Sequence, residues 1–524
     1  MRLRLWIRSA LAAMLPVLAI AASACDSPVT ERDGSSNEGQ PHNPGTPIVG
    51  LNCNPSFDRK TAEERRVHDL ILEKTGADVR IVFSDGGAGG PCKSKRNRML
   101  SSGEQLDFAE LSISEAVQAF NEGLILPLND LLDQYGLNLK KNVVPEAFKR
   151  ATYDGNILGI PIENGLLTLN ALQIRADWLA KLQLPVPNTV DEYERVLQAF
   201  KERDPDGNGM PDTVPLTVAS GGALGMLESV FGPSFLPQAI GWWQDADGRL
   251  KPPELHPGYK AFLARLVDWN EKGYLWSDML LSSAAKQQEL IAGNKAGSVA
   301  ATYSGTIVNA GEILRKSVPD YSYIPVVLEG AHGINRLPAA PITYSVWVIF
   351  KKNADPETVM KYFDYQGTYE GNMLTYFGIE GDNYTTSPGG MVELIAEDKT
   401  DLAKANYYAK YKTVFINWPG KPVWPVNAWV SGEYNLKREQ MNRLPRFEPV
   451  DSGVFYDTTQ WESFPKLDDL NAYLSEQKVR VYNGEIPVDS WDGIVSRWLD
   501  MGGRQLIDDR NKQYAAEAVR QSIR

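Results

Sequence analysis

Between residues 48 and 112 the apolar positions form short runs, separated by a longer stretch with helical spacing. Ile48-Val49-Gly50-Leu51, Val79-Arg80-Ile81-Val82-Phe83 and Phe108 to Ile113 read as strands. Between the first two, Val67, Leu70 and Ile71 share one side of a helix from Asp58 to Lys74, with Gly76 placed to stop it. That is a β-α-β unit. Ser114 is expected to cap a helix reaching Glu122.

The most patterned stretch runs from Tyr153 to Asp212. Asp154-Gly155 is a hairpin turn signal, with Ile157 to Pro161 as the returning strand. Leu166 to Ile174 is apolar without helical spacing, which suits a buried extended segment. Thr189, with Glu192 three residues later, opens a helix as a capping box; Val196, Leu197 and Phe200 give it an apolar stripe. Further on, Tyr259 to Gly273 reads as a helix, and Gly293-Asn294-Lys295-Ala296-Gly297 as a turn into a strand over Ser298 to Thr302. Tyr323 to Leu328 suits an edge strand because of Pro325. Ile342 to Phe350 reads as a strand, and Asp355 to Gln366 as a helix. Strands alternating with helices, and no tandem repeat, argue an α/β fold.

After the Thr189 helix come Asp204, Asp206, Asn208, Gly209, Met210 and Asp212. These match positions 1, 3, 5, 6, 7 and 9 of a calcium loop, in which hard oxygen ligands at alternate positions wrap one cation. Position 12, normally a bidentate Glu, is Pro215, so a standard EF-hand is not expected. The alternative is a solvated Asx-rich turn.

At the N-terminus Arg2, Arg4 and Arg8 precede an apolar run from Ala10 to Ala22. Residues 1–24 therefore read as a signal peptide. Ala22-Ser23-Ala24-Cys25 resembles a bacterial lipobox, which would lipidate Cys25; ordinary cleavage leaving a free thiol is the alternative. Residues 25–46 are polar, without periodicity, and suit a flexible tether. No later apolar run is long enough to span a membrane. Cys53 and Cys92 follow strands that would be neighbours, so they form either a bridge or two buried thiols. The net charge of −12 argues against nucleic acid as a partner.

Several stretches carry a resemblance: Gly159-Ile160-Pro161, the apolar crossing, Ile174-Arg175-Ala176-Asp177-Trp178-Leu179, the capped helix, and Asp204-Pro205-Asp206-Gly207-Asn208-Gly209 with Asp212. So do Gly123-Leu124-Ile125-Leu126-Pro127-Leu128 and Phe377-Gly378-Ile379-Glu380-Gly381. Together they resemble the extracellular solute-binding proteins of ABC importers, and within them the large oligosaccharide-binding lipoproteins of family 1. The resemblance implies a two-lobed, type II periplasmic-binding-protein-like α/β fold. The first lobe would hold residues 47–165 plus about 340–400, and the second 166–339 plus about 401–524. It also implies a hinge near 165–172, a structural calcium in the acidic loop, and a ligand-facing loop at Tyr303-Ser304-Gly305-Thr306. The protein would be a non-enzymatic monomer anchored to the extracellular face of the membrane by a lipid (palmitate), passing an oligosaccharide to importer permease subunits.

Ligand contacts are expected from Ser84 and Asp85, at the carboxyl end of a parallel strand, and from Glu163 and Asn164. Aromatic rings stack on the C–H faces of sugars. Trp242, Trp243, Tyr303, Tyr344, Trp347 and Trp424 are the candidates, with Trp418 and Trp429 near the last and Ser304 beside Tyr303 in the ligand-facing loop; any one of the rings could equally be core. There are four His and none has metal-ligand spacing; no G-x-S-x-G occurs. A secreted glycosidase or lyase remains the alternative function, because paired catalytic carboxylates are defined by distance in space.

Overall fold

The computed structural model describes residues 47–523 apart from 54–63, 85–89, 164–167, 169, 219–221, 239, 282–283, 303–304, 331–335, 353–354, 387–391, 396–408, 417, 419–428 and 455. The leader, Cys25 and the tether lie outside the described residues, as do Asp85, Asn164, Tyr303, Ser304 and Trp424 and the side chain of Trp429.

Nine strands build two main sheets: β1 (Ile48–Asn52), β2 (Val79–Phe83), β3 (Phe108–Ser112), β4 (Ile160–Glu163), β5 (Asn170–Arg175), β6 (Val214–Val218), β7 (Ala296–Thr302), β8 (Tyr323–Val326) and β9 (Thr343–Ile349). The first sheet has the order β2-β1-β3-β9-β4 and the second β8-β5-β7-β6. β1 lies parallel to β2 and β3, while β9 returns antiparallel between β3 and β4. In the second sheet β7 runs parallel to β6 and antiparallel to β5, and β8 covers the edge of β5. Helices flank each sheet, giving a two-lobed α/β fold of the type II periplasmic-binding class. No described helix is long and apolar enough to cross a membrane.

Local signals explain much of this. Gly76 ends the helix Glu64–Thr75 with φ +72°, a conformation that costs a residue with Cβ but not glycine. Asp154 and Gly155, both at positive φ, turn the two-residue hairpin between Thr152–Tyr153 and Asn156–Ile157. Thr189 caps Val190–Glu202 by accepting from the Glu192 backbone, but the Glu192 carboxylate takes the Asn188 N–H, so the box is not reciprocal. At the third helix the cap is Ser112, not Ser114: Ser112 and Glu115 make a full capping box. Arg175, fully buried, grips Asp177 with two bonds of 2.8 and 2.6 Å and lies 4.6 Å over Trp178. The motif beginning at Arg175 is thus a structural clamp between β5 and the helix that follows it.

The chain passes between the sheets after β4, between β8 and β9, and again beyond Ile416. Thr168 bridges to Ala339, Leu337–Pro338 pairs with Arg446–Phe447, and Ala171, Leu337 and Met441 share a small core. These contacts tie the passing segments into one bundle. The third passage falls later than the boundary expected near residue 400. Tyr411, Val414 and Ile416 still pack in the core of the first sheet, whereas Trp461, Leu470 and Trp491 join that of the second.

Cys53, at the end of β1, and Cys92, on the helix Gly90–Ser102, form a disulfide that closes a loop with a sequence separation of 39. Replacing both by serine should cost about 4 kcal/mol, from the added freedom of the unfolded loop. Urea unfolding of the C53S/C92S variant measures this; a loss under about 1 kcal/mol would count against the entropic account.

Candidate functional site

The side chains whose charges act from one lobe on the other start from Arg150 and Tyr344. Arg150 ends the first-lobe helix Pro145–Arg150, and its Nε donates to the Thr343 carbonyl at 3.0 Å. Tyr344 is next along β9 and is 47% exposed. From the second lobe, Glu448 and Asp451 stand close enough for their charges to act on the Arg150 guanidinium. Burial pushes that guanidinium below its ordinary value, and Tyr344, Glu448 and Asp451 pull it back up in part. Burial likewise raises the Tyr344 phenol, against the pull of Arg150.

Asp451 is buried, ion-paired to Arg510 and bonded by the Tyr456 hydroxyl at 3.2 Å. Arg510 lies 4.7 Å over the Trp242 ring and 3.9 Å over Tyr456. Gln238 donates to the Trp242 carbonyl at 2.7 Å and accepts from Val450 N–H at 3.4 Å. One polar and aromatic cluster therefore places Trp242 on the same second-lobe surface as Asp451. The arrangement can offer ring faces to an apolar surface and guanidinium or carboxylate groups to hydroxyls, from both lobes at once.

Other expected contacts are placed differently. Ser84 is half-buried at the end of β2, its N–H donating to the Asn52 carbonyl at 3.1 Å. Glu163 is 8% exposed; its carboxylate takes the Val144 N–H at 2.7 Å and its own N–H bonds the Phe415 carbonyl. Trp243 is committed to the short hairpin with Leu250–Lys251: its Nε1 donates to the Pro252 carbonyl at 3.1 Å and its ring meets His256 at 4.8 Å. Trp418 packs on the first core with its ring 5.6 Å from Tyr369. Trp347 corrects the expectation of a ligand-facing ring. It is 2% exposed and packs against Phe108, because β9 is covered on both faces from Val346 onward. Sequence reasoning missed Arg150, Glu448, Asp451 and Arg510. Their only sequence signal is ordinary surface charge, and the fold alone brings them together.

In the loop 204–212 the Asp204 carboxylate accepts the Gly207, Asn208 and Gly209 N–H groups at 2.9 to 3.1 Å. The Asn208 amide nitrogen donates to Asp206 at 2.8 Å and Asp212 at 3.0 Å, and Lys295 pairs with Asp212 at 2.9 Å. A hydrogen bond shared with Asp206 holds Asp204 below the usual carboxylate range. Burial and that same bond raise Asp206. Met210 is exposed, its N–H on the Asn208 side-chain oxygen. The oxygens converge, but amide and ammonium donors fill the space between them. Among the described residues no group of three or more acidic, His or Cys side chains is arranged to hold a metal.

A family profile described as "Bacterial extracellular solute-binding protein" matches residues 55–373. The chain is 24% identical over 427 residues to the polygalacturonan/rhamnogalacturonan-binding protein YtcQ of Bacillus subtilis (strain 168), covering 77% of this chain and 79% of YtcQ. It is 36% identical over 166 residues to the fructooligosaccharide ABC transporter substrate-binding protein FusA of Streptococcus pneumoniae serotype 4, covering 29% of this chain and 31% of FusA. A solved structure of a FusA EF-hand mutant with fructo-nystose aligns at TM-score 0.64 and 19% identity, covering 91% of this chain and all of that one. An HMO-binding, ABC-transporter-associated solute-binding protein from Bifidobacterium longum infantis aligns at TM-score 0.70 and 20% identity, over 90% of this chain and 99% of that one. At such identities the solved structures speak to the fold.

Proposed function

The chain belongs to the bacterial extracellular solute-binding proteins, and on that premise we propose that it captures an oligosaccharide between its lobes and delivers it to the permease subunits of an ABC importer. The observation that carries this reading is that Arg150, beside the exposed Tyr344 on one lobe, feels the charge of Asp451, which on the other lobe holds Arg510 over the Trp242 ring. A flexible, hydroxyl-rich chain needs ring faces and polar groups from both sides. Relatives that bind polygalacturonan or fructooligosaccharide support a saccharide as the solute. Closure about the segments around Thr168, Ala339 and Arg446 would bury it, binding energy shifting an open–closed equilibrium. Residues 47–165, the return strand β9 and the segment to Ile416 form one lobe; 170–326 and the tail from Trp429 form the other. Lipidation at Cys25 would tether the protein outside the cell as a monomer.

A panel of oligosaccharides read by Trp fluorescence, with the mixtures analysed for new products, tests this against a secreted glycosidase or lyase. Stoichiometric quenching without product is the expected result; turnover of any sugar would replace the reading with an enzyme. Tyr344→Ala should weaken the tightest sugar about tenfold and leave the melting temperature nearly unchanged, since its ring is exposed. Unchanged affinity would remove Tyr344 from the site.

Calcium belongs to the same proposal. Rotation of the Asn208 amide would turn its oxygen toward Asp204, Asp206 and Asp212, making a set of hard oxygens. Millimolar calcium should then raise the melting temperature of the wild type but not of an Asp204→Asn/Asp206→Asn variant. Equal response of both would leave an Asx turn.

A further inference from the structure

The stretch Phe377-Gly378-Ile379-Glu380-Gly381 takes no part in the site between the lobes. It lies along one wall of a separate cavity of about 300 Å³ on the first lobe. The helix Tyr369–Phe377 gives a second wall and the helix Glu64–Thr75 a third. Three phenol rings line this cavity: Tyr365, Tyr369 and Tyr384. Two carboxylates stand with them, Glu370 and Glu380. Leu70 and Met373 belong to its apolar part.

The walls are held by the fold itself. The Asp382 and Asn383 N–H groups both donate to the Ile379 carbonyl, at 3.2 and 2.9 Å, and Gly381 N–H donates to the Tyr384 carbonyl at 2.7 Å. The Asn383 side-chain oxygen accepts Ile379 N–H at 2.7 Å. This closed turn fixes the backbone of Glu380 beside Tyr384, whose ring packs 6.0 Å from Phe377 in a small core of its own. Trp418 braces Tyr369 edge to face at 5.6 Å. The Lys74 ammonium and the Tyr365 hydroxyl both meet one oxygen of Glu370, at 3.3 and 3.2 Å. The charges of Lys74 and Glu370 thereby offset each other. Glu380 is exposed and makes no ion pair among the described residues. The lining therefore carries one uncompensated negative charge beside three rings. Burial raises all three phenols, and the acidic side chains that add to it, Glu370, Glu380 and Glu73, are all negative.

We infer that this cavity binds a small organic monocation, an alkylammonium group of about the size of choline, seated among Tyr365, Tyr369 and Tyr384 with Glu380 as its counter-ion. The negative face of an aromatic ring attracts an ammonium group, most strongly where water is excluded. The cavity is at the small end of the range for ligand sites, about 300 Å³, which suits a small cation and leaves no room for a chain of sugar rings. A neutral sugar could stack on the same phenols, but it would leave the Glu380 charge uncompensated. The charge is what selects a cation.

The test titrates the full mature protein calorimetrically, with choline chloride and methyl α-glucoside as probes. Choline should bind at one site per chain with a Kd of about 1 mM, and the glucoside should not bind at such concentrations. Glu380→Gln should weaken choline about tenfold. Tyr369→Leu should weaken it about threefold, and Tyr369→Phe should keep most of the affinity, because the ring and not the hydroxyl carries the attraction. Glu476→Gln removes an exposed carboxylate on the second-lobe helix Leu467–Tyr482 and should change nothing. Absence of saturable choline binding up to about 50 mM overturns the inference. An equal loss in Glu476→Gln also overturns it, since the cation would then be drawn diffusely by the net charge of −12. So does glucoside binding as tight as choline, which would make the cavity a pocket for neutral polyols, or Tyr369→Phe falling as far as Tyr369→Leu. Because Glu380 is exposed, Glu380→Gln reads the charge without a folding defect, and melting temperatures check the Tyr369 variants. The cavity shares no residue with the site between the lobes, so its failure would leave the solute-capture reading standing.

Discussion

Lys478→Ala should lower the unfolding free energy by about 4 kcal/mol, among the largest effects any single side chain here can have. Lys478 lies on the helix Leu467–Tyr482 and reaches Glu228 at 2.9 Å and Glu254 at 2.5 Å. All three side chains are 11–15% exposed. The Tyr259 hydroxyl also donates to Glu228, and the Lys478 ammonium sits 5.4 Å over the Tyr259 ring. Burial alone would lower the lysine, but the two carboxylates win and hold it above its ordinary value. Removing the cation leaves two largely buried carboxylates without the charge that compensates their lost hydration. Replacing all three charges by apolar side chains should be far milder than Lys478→Ala alone. Chemical unfolding of the single and triple variants decides it. A single-variant loss below about 1 kcal/mol would mean the triad is solvated, not structural.

Lys412 inverts that logic. It is 3% exposed on the first lobe, its Nζ donates to the Asn372 amide oxygen at 2.6 Å, and it sits over Tyr376 at 4.8 Å and Phe415 at 5.3 Å. No described carboxylate pairs with it, and burial pushes its amine down to about 7 from its ordinary 10.5. Between those two values the unfolded chain binds a proton that the folded chain does not. Folding stability contributed by this group therefore rises with pH across that window and is lowest at and below about pH 7. In Lys412→Met the slope disappears. The stability difference between wild type and variant should change by about 4 kcal/mol from pH 7 to pH 10, at about 1.4 kcal/mol per unit. At pH 7 the variant should be the more stable by about 2 kcal/mol, because the orphaned Asn372 oxygen offsets part of the gain. Parallel pH curves for the two proteins would show the amine to be charged and compensated in the fold.

The two cases mark what the sequence can and cannot convey. Features encoded by neighbours in the chain were readable: the Asp154-Gly155 hairpin, the Thr189 cap, the Gly76 stop, the edge placement of the Pro325 strand. The Ser112 cap was misplaced by two residues because Ser112 and Ser114 are chemically alike, and only the Glu115 partner distinguishes them. Trp347 was misread because alternation cannot tell a ring facing a cleft from one on a strand covered on both sides. Lys478, Glu228 and Glu254 are far apart along the chain and each looks like a surface charge. The same holds for Arg150 and Glu448. Where a side chain's chemistry depends on partners from distant segments, composition and periodicity carry no signal. The acidic loop is a mixed case: its spacing was plain, but whether its oxygens face a cation or Lys295 and the Asn208 amide depends on rotamers.

The insertion of β9 between β3 and β4 bears on how the protein is made. A ribosome releases β1 to β4 long before it releases the strand that joins β3 to β4. Until then the first sheet has an open seam, and the nascent chain cannot lock it. Such long-range closure is slow, so the first lobe locks only after most of the chain has been made. Moving β9 to follow β4 directly, by circular permutation, should give a first lobe that closes sooner and refolds faster.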